Sequence, residues 1–177
     1  MNIFGENIVL RAIDEKDAPL LLDMINDPSV EKNVGGSSFP VSFLTQLEWI
    51  KKQATIPDST HLRCIIECLG TGKSVGMMAL SDIDHKNGTA MSHIKLSSKA
   101  RGKGYAHDAH RTMLTYAFQE LRLNCIYAEV LENNKASLKL FERLHFKQEG
   151  ILRQRIYKQG QCLNVISLSI LKDEFIC

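Results

Sequence analysis

The chain is most constrained between residues 96 and 106, where Leu96-Ser97-Ser98-Lys99-Ala100-Arg101-Gly102-Lys103-Gly104-Tyr105-Ala106 leads from a β-rich run through a basic, glycine-containing loop into the longest helical pattern. Upstream, residues 89–97 read as a strand. Downstream, residues 104–121 set Ala106, Ala109, His110, Met113, Ala117 and Leu121 on one stripe at helical spacing. Residues 125–131 are apolar apart from Glu129, the pattern of a buried strand that runs parallel to a neighbour. The result is a strand-helix-strand unit with a loop at a strand end, and the rest of the chain must be fitted around it.

The remaining segments fit a mixed α/β sheet of the α+β kind. Residues 7–12 read as a short strand, and Asp14 caps a helix through Leu20, Leu21, Met24 and Ile25 that Asp27-Pro28 stops. Gly35-Gly36-Ser37-Ser38-Phe39-Pro40 reads as a loop. A second helix starts after Ser42 and carries Leu44, Leu47, Trp49 and Ile50 to a break at Pro57. Residues 62–69 and 75–83 are strands across the turn Gly70-Thr71-Gly72-Lys73. Residues 134–144 form a compact helix, and residues 151–157 and 162–171 a closing hairpin around Lys158-Gln159-Gly160-Gln161. No linker or repeat divides this β-α-α-β-β-β-α-β-α-β-β order, so residues 1–177 read as one domain.

Charge narrows the partners. With 22 Lys and Arg against 20 Asp and Glu, the net charge of +2 predicts neither a nucleic-acid partner nor an anionic membrane surface. No apolar run approaches the roughly 20 residues a bilayer helix needs, and the first residues lack a secretory pattern, so a cytoplasmic location is expected. Cysteines 64, 68, 125, 162 and 177 show no Cys-x-x-Cys and sit mostly among apolar neighbours, which predicts reduced core thiols. Cys64 with Cys68, and His107 with His110, lack the further ligands a metal would need, so no metal is expected.

The loop itself is shaped for an anion. Gly102 and Gly104 let backbone amides approach a ligand, and the helix start behind them adds N–H groups and a positive dipole end. Neither common nucleotide fingerprint fits: the first glycine of a P-loop is absent, and a dinucleotide motif would need a third glycine where His107 stands.

Two motifs then align in order with one family. Arg101-x-x-Gly104-x-Ala106 resembles the acyl-CoA signature of the GNAT N-acetyltransferases, and Asn134-Lys135-Ala136-Ser137-Leu138-Lys139-Leu140-Phe141-Glu142-Arg143-Leu144-His145-Phe146 resembles the helix that follows it there. The opening Ile8-Val9-Leu10-Arg11-Ala12 and the tail from Phe146 to Arg153 are similar to the RimJ/RimL branch. The resemblance implies a single-domain fold, its mixed and mostly antiparallel twisted sheet of about seven strands flanked by about four helices. It implies acetyl-CoA as co-substrate, bound in a V-shaped opening between the strand ending near Leu96 and the strand starting near Cys125. The amides of Arg101, Gly102, Lys103, Gly104, Tyr105 and Ala106 would hold the pyrophosphate. The backbone of Ile94, Lys95 and Leu96 would pair with the pantetheine arm, which Asn134 would also hold, with Ser137 and Phe141 near the thioester. Left-handed backbone is expected at His145, where the family usually has glycine.

The catalytic positions depart from the family pattern. The usual glutamate base falls at Met91, and the usual tyrosine acid at Phe141, which has no proton to give. His93, two residues beyond Met91 on the same strand face, is expected to replace the base. Ser137 is expected to protonate or hydrogen-bond the leaving thiolate. Asp82, Asp84, Glu129 and Glu132 could attract a cationic amine, and Ser92, Tyr127 and Tyr157 are further candidates. The function expected is acetyl transfer to a primary amine by direct attack, the acceptor being a polyamine, amino sugar or aminoglycoside, in a monomer or homodimer. Two alternatives stand beside it: an acetyltransferase for protein N-termini, ribosomal proteins included, and an acyl-CoA-binding sensor with little turnover.

Overall fold

Alternating and continuous apolar runs build one sheet, whose two faces are covered by different helices. The computed structural model describes residues 1–33, 39–55 and 59–176. The glycine–serine stretch at residues 35–38, the helix break at Pro57 and Cys177 lie outside the described residues. The strands are β1 (Ile3–Phe4), β2 (Ile8–Arg11), β3 (Leu62–Cys68), β4 (Lys73–Asp84), β5 (Thr89–Leu96), β6 (Cys125–Leu131), β7 (Lys147–Lys158) and β8 (Gln161–Leu171). They lie in the order β1-β2-β3-β4-β5-β6-β8-β7. Every neighbouring pair is antiparallel except β5 and β6.

The helices are α1 (Ala18–Asn26), α2 (Pro28–Glu31), α3 (Phe43–Thr55), α4 (Tyr105–Gln119) and α5 (Lys135–Arg143). Ala109, Met113 and Ala117 of α4 and Phe141 of α5 pack on one face of the sheet, against Met78, Leu80, Ala90 and Ile126. Leu21 and Met24 of α1 and Ile50 of α3 cover Ile65 and Met77 on the other face. Each large apolar side chain so buried contributes on the order of 1.5–3 kcal/mol.

The element order matches the expectation with two additions and one extension. Helix α1 stops at Asn26, as Asp27-Pro28 predicts, but Pro28 then has a second role. It begins α2, with Asp27 as the cap: its Oδ1 accepts from Ser29 N at 2.8 Å. Proline at a first helical turn removes only an N–H that has no helical partner. Strand β1 is two residues long, too short to show a period. Strand β7 starts at Lys147, four residues before the expected start, because its polar opening pairs with β8 without burying either face. Gln159 (φ 48°) and Gly160 (φ 80°) make the tight two-residue turn into β8, as their position in the sequence predicts. Cys64 and Cys68 are buried free thiols and Cys125 is half-buried, but Cys162 is exposed on the terminal hairpin rather than in the core.

Candidate active site

The site originates where the sheet splits. Strands β5 and β6 pair only from Thr89↔Cys125 to Met91↔Tyr127. Beyond that point β5 stays on β4 as far as Leu96, and β6 stays on β8 as far as Leu131. A bulge between Ser81 and Asp84, with Asp82 in the left-handed region at φ 51°, marks the β4 side of this divergence. The edges of β5 and β6 that face one another across the gap no longer bond to each other. An extended ligand carrying amides could add to such an edge.

Two connected hollows of about 440 Å³ each occupy the split. They share Asn33, Ile94, Lys95, Asn134 and Ser137. The first arm runs along Leu96, Arg101, Gly102, Gly104, Tyr105 and Ala106 to Lys139 and Arg143 on α5. The second arm holds Met91, Ser92, His93, Glu129 and Phe141, and Ile156 of β7 lines it as well.

At the floor of the first arm the backbone turns sharply. Gly102 (φ 74°) and Gly104 (φ 85°) occupy conformations that side chains disfavour, and Gly104 caps α4 without a side-chain bond. The amides of His107 and Asp108 donate to the Gly104 carbonyl at 3.1 Å each. Those of Tyr105 and Ala106 donate to no described acceptor. Two free amides at the positive end of a four-turn helix, with Arg143 and Lys139 beside them, suit a phosphate group. The Tyr105 hydroxyl lies 3.4 Å from Cys68 Sγ and anchors the helix start to β3. This contact, with help from Thr71, brings the Cys68 thiol down to about 7.

Other predicted residues take more particular roles. Arg101 turns its guanidinium toward α2, Nη2 donating to the Ser29 carbonyl at 3.4 Å, so any phosphate contact here rests on the loop backbone. Lys103 does not line the first arm. It faces the neighbouring hollows beside Glu6 and Asn7 on one side and Ser97 to Ala100 on the other, because it lies between two left-handed glycines that turn the chain. Asn134 caps α5, its Oδ1 accepting from Ser137 N at 3.2 Å, while Nδ2 donates to the Asn33 carbonyl at 3.1 Å and ties α5 to α2. Phe141 is buried and meets His110 and Phe146 edge-on, with ring centroids 5.1 and 4.8 Å away. His145 has the expected left-handed backbone, φ 63°.

The second arm carries the titratable groups. His93 stands on the same face as Met91, with Nε2 2.7 Å from Ser81 Oγ. Surrounding protein removes part of the hydration of its ring and lowers its pKa. Asp82 opposes that fall, while Lys95, Arg63 and His61 add to it. The imidazole is therefore neutral at pH 7 and able to accept a proton. Lys95 at the junction is likewise shifted down, first by lost hydration and then by Lys158. Burial, followed by the charges of Asp82 and Glu129, raises the Tyr127 hydroxyl pKa. Ser92 is buried, its hydroxyl without a described partner.

Three candidates serve elsewhere. Asp84 accepts from the amides of Lys86 and Asn87 in the β4–β5 turn, and Glu132 from the backbone and side chain of Asn164. Tyr157 is exposed at the hairpin end and lines neither arm. Asp108 accepts from the amides of Glu6 and Asn7 and fastens the N-terminal segment to α4. Sequence reading missed Ser81, whose partner His93 lies 12 residues away in the chain. The signal was its place near His93 across the β4–β5 hairpin, visible only once the register is known. Among the described residues, no three His, Cys, Asp or Glu side chains cluster to hold a metal, and no helix is long and apolar enough to cross a membrane.

Comparison with known proteins agrees with this geometry. Residues 7–147 match the acetyltransferase (GNAT) domain family. The prophage-derived N-acetyltransferase YokL of Bacillus subtilis is 31% identical over 97% of this chain and 93% of its own length. Spermidine N(1)-acetyltransferase of Escherichia coli K12 is 29% identical over 97% and 90%. In fold, the chain is similar to the crystal structure of spermidine N-acetyltransferase from Vibrio cholerae in complex with CoA and spermine. The TM-score is 0.87 over 95% of this chain and 97% of that one, at 24% identity.

Proposed function

The chain belongs to the GNAT acetyltransferase family, and from that premise we propose that it moves the acetyl group of acetyl-CoA to a primary amine of a small polyamine. The observation that carries the reading is the meeting of two arms at Ile94, Lys95, Asn134 and Ser137: one has free helix-start amides, the other His93 and Glu129. In this reading the amides of Tyr105 and Ala106 take the pyrophosphate and the unpaired edge of β5 takes the pantetheine amides. The thioester in this reading lies at the junction, beside Ser137. Glu129, which lines the second arm, and Asp82, whose charge reaches His93 there, make it attractive to a cation. His93 takes the amine proton, and the Ser137 hydroxyl donates to the departing sulfur. Within the family we assign the chain to the RimJ/RimL-like branch on its opening and closing segments.

Release of CoA from acetyl-CoA tests the proposal, with spermidine, spermine, amino sugars, aminoglycosides and Ala- or Ser-starting peptides as acceptors. Turnover with polyamines above the enzyme-only rate is expected. Turnover with peptides alone would move the acceptor to protein N-termini. Acetyl-CoA binding without turnover on any amine would support a sensor.

A further inference from the structure

A hydrogen-bonded line of three residues, which the family resemblance does not supply, ends on His93 at the wall of the second arm. Ser81 Oγ donates to Asp82 Oδ2 at 3.0 Å, and the same oxygen lies 2.7 Å from His93 Nε2. A hydroxyl has one proton, and here the carboxylate takes it. Ser81 Oγ can then only accept from the ring, so Nε2 carries the hydrogen and Nδ1 is left as a bare lone pair. The line depends on the bulge: Asp82 is held at φ 51° between residues of β4, a conformation Asp and Asn tolerate better than other side chains. We propose that Ser81 and Asp82 are positioning residues that fix the tautomer of His93, leaving Nδ1 as the base that deprotonates the acceptor amine.

This inference rests on the acetyltransferase reading, and the step balances. Nδ1 takes one proton from the acceptor ammonium, and the freed nitrogen lone pair forms a bond to the thioester carbonyl carbon. The carbon–sulfur bond breaks, and the sulfur leaves with its electron pair. The second proton of the attacking nitrogen goes to that sulfur, giving the amide and CoA thiol. The imidazolium keeps its Nε2–H on Ser81, faces the Asp82 carboxylate through one hydroxyl, and returns its proton to solvent. The other charged groups around the ring are Lys95 on β5, Arg63 and His61 on the β3 side, and Glu129 on β6. Lys95, Arg63 and His61 disfavour the imidazolium, so Asp82 is needed to hold it.

The test compares Asp82→Asn, Ser81→Ala and Ser81→Thr. Asparagine accepts the left-handed backbone, and threonine keeps the hydroxyl. For Asp82→Asn and Ser81→Ala, kcat is expected to fall about 10- to 100-fold, a share of a general-base contribution of 10²–10⁴-fold. In Asp82→Asn the acid limb of the kcat/KM profile should move to lower pH as the imidazolium loses its counter-charge, KM for acetyl-CoA should hold, and Ser81→Thr should stay near the parent. An unmoved limb overturns the proposal, whether or not kcat falls. A second readout needs no turnover: imidazole ¹⁵N shifts, with His93 assigned through His93→Gln, should report the Nε2–H tautomer in the parent and a mixture in Ser81→Ala. The Nδ1–H tautomer in the parent overturns the proposal, while an inactive protein with the Nε2–H tautomer would overturn only the acetyltransferase reading.

Discussion

Asn134 joins the two arms, the start of α5 and the end of α2, and its removal should register in stability before it registers in chemistry. Asn134→Ala deletes two bonds: the cap to Ser137 N (3.2 Å) and the tie to the Asn33 carbonyl (3.1 Å). A lost N-cap costs about 1 kcal/mol, and a lost side-chain bond to a carbonyl about 1 kcal/mol more. For a chain of this size, each kcal/mol lowers Tm by roughly 2–4 °C, so Asn134→Ala should melt about 4–8 °C below the parent. Asn134→Ser separates the contributions. Serine caps as well as asparagine but cannot reach α2, so it should lose about half as much. Calorimetric melts of the three proteins check the arithmetic. Isothermal titration with CoA should show both variants binding more weakly, because both release α5 from α2 at the arm junction. A Tm for Asn134→Ala within 1 °C of the parent, or equal losses in the two variants, would refute the division into cap and tie.

Asp17 is buried and accepts from Arg11 Nη1 and Nη2, Ser74 Oγ and its neighbour Asp14 N, while Arg11 Nε also holds Glu67. Asp17→Ala should cost about 3–5 kcal/mol in urea unfolding, since it strands a mostly buried guanidinium, whereas a loss under 1 kcal/mol would mean Glu67 suffices. His110 is fully buried, and loss of hydration pushes its pKa from 6.5 down to about 4. The unfolded chain therefore binds the proton first: stability should fall as pH drops from about 6.5 towards 4, by on the order of 3 kcal/mol in all. His110→Leu should flatten that part of a urea-stability profile, and an unchanged slope would assign the acid loss to other groups.

Features set by local chain geometry were legible before the fold was known. The α4 stripe and the β6 run lie at or within two residues of their expected bounds, and the left-handed backbone of His145 is the one implied by the family resemblance, which usually has glycine at that helix end. Asp27-Pro28 stops α1 as expected, but α2 was not foreseen, because the same proline that ends one helix is favoured at the first turn of another, and only the cap bond from Asp27 reveals the new start. The opening of β7 was illegible because an edge segment with both faces solvated carries no period-two signal.

The site divides along the same line. Its first arm is made of backbone: glycines with positive φ, unpaired helix-start amides and a strand edge released by its neighbour. Such features are encoded by glycine spacing and strand ends, so a single sequence displays them. The second arm is made of side chains brought together by register, and there alternation located His93 but could not locate its partner. Ser81 pairs with Met91 and Ala79 with His93, so the Ser81–His93 bond is diagonal and depends on where the bulge falls. Moving the bulge by one residue would send Ser81 to the opposite face and detach His93 from Asp82. The positive φ of Asp82 thus has a chemical consequence as well as a structural one, because it holds the register in which the imidazole meets its hydroxyl.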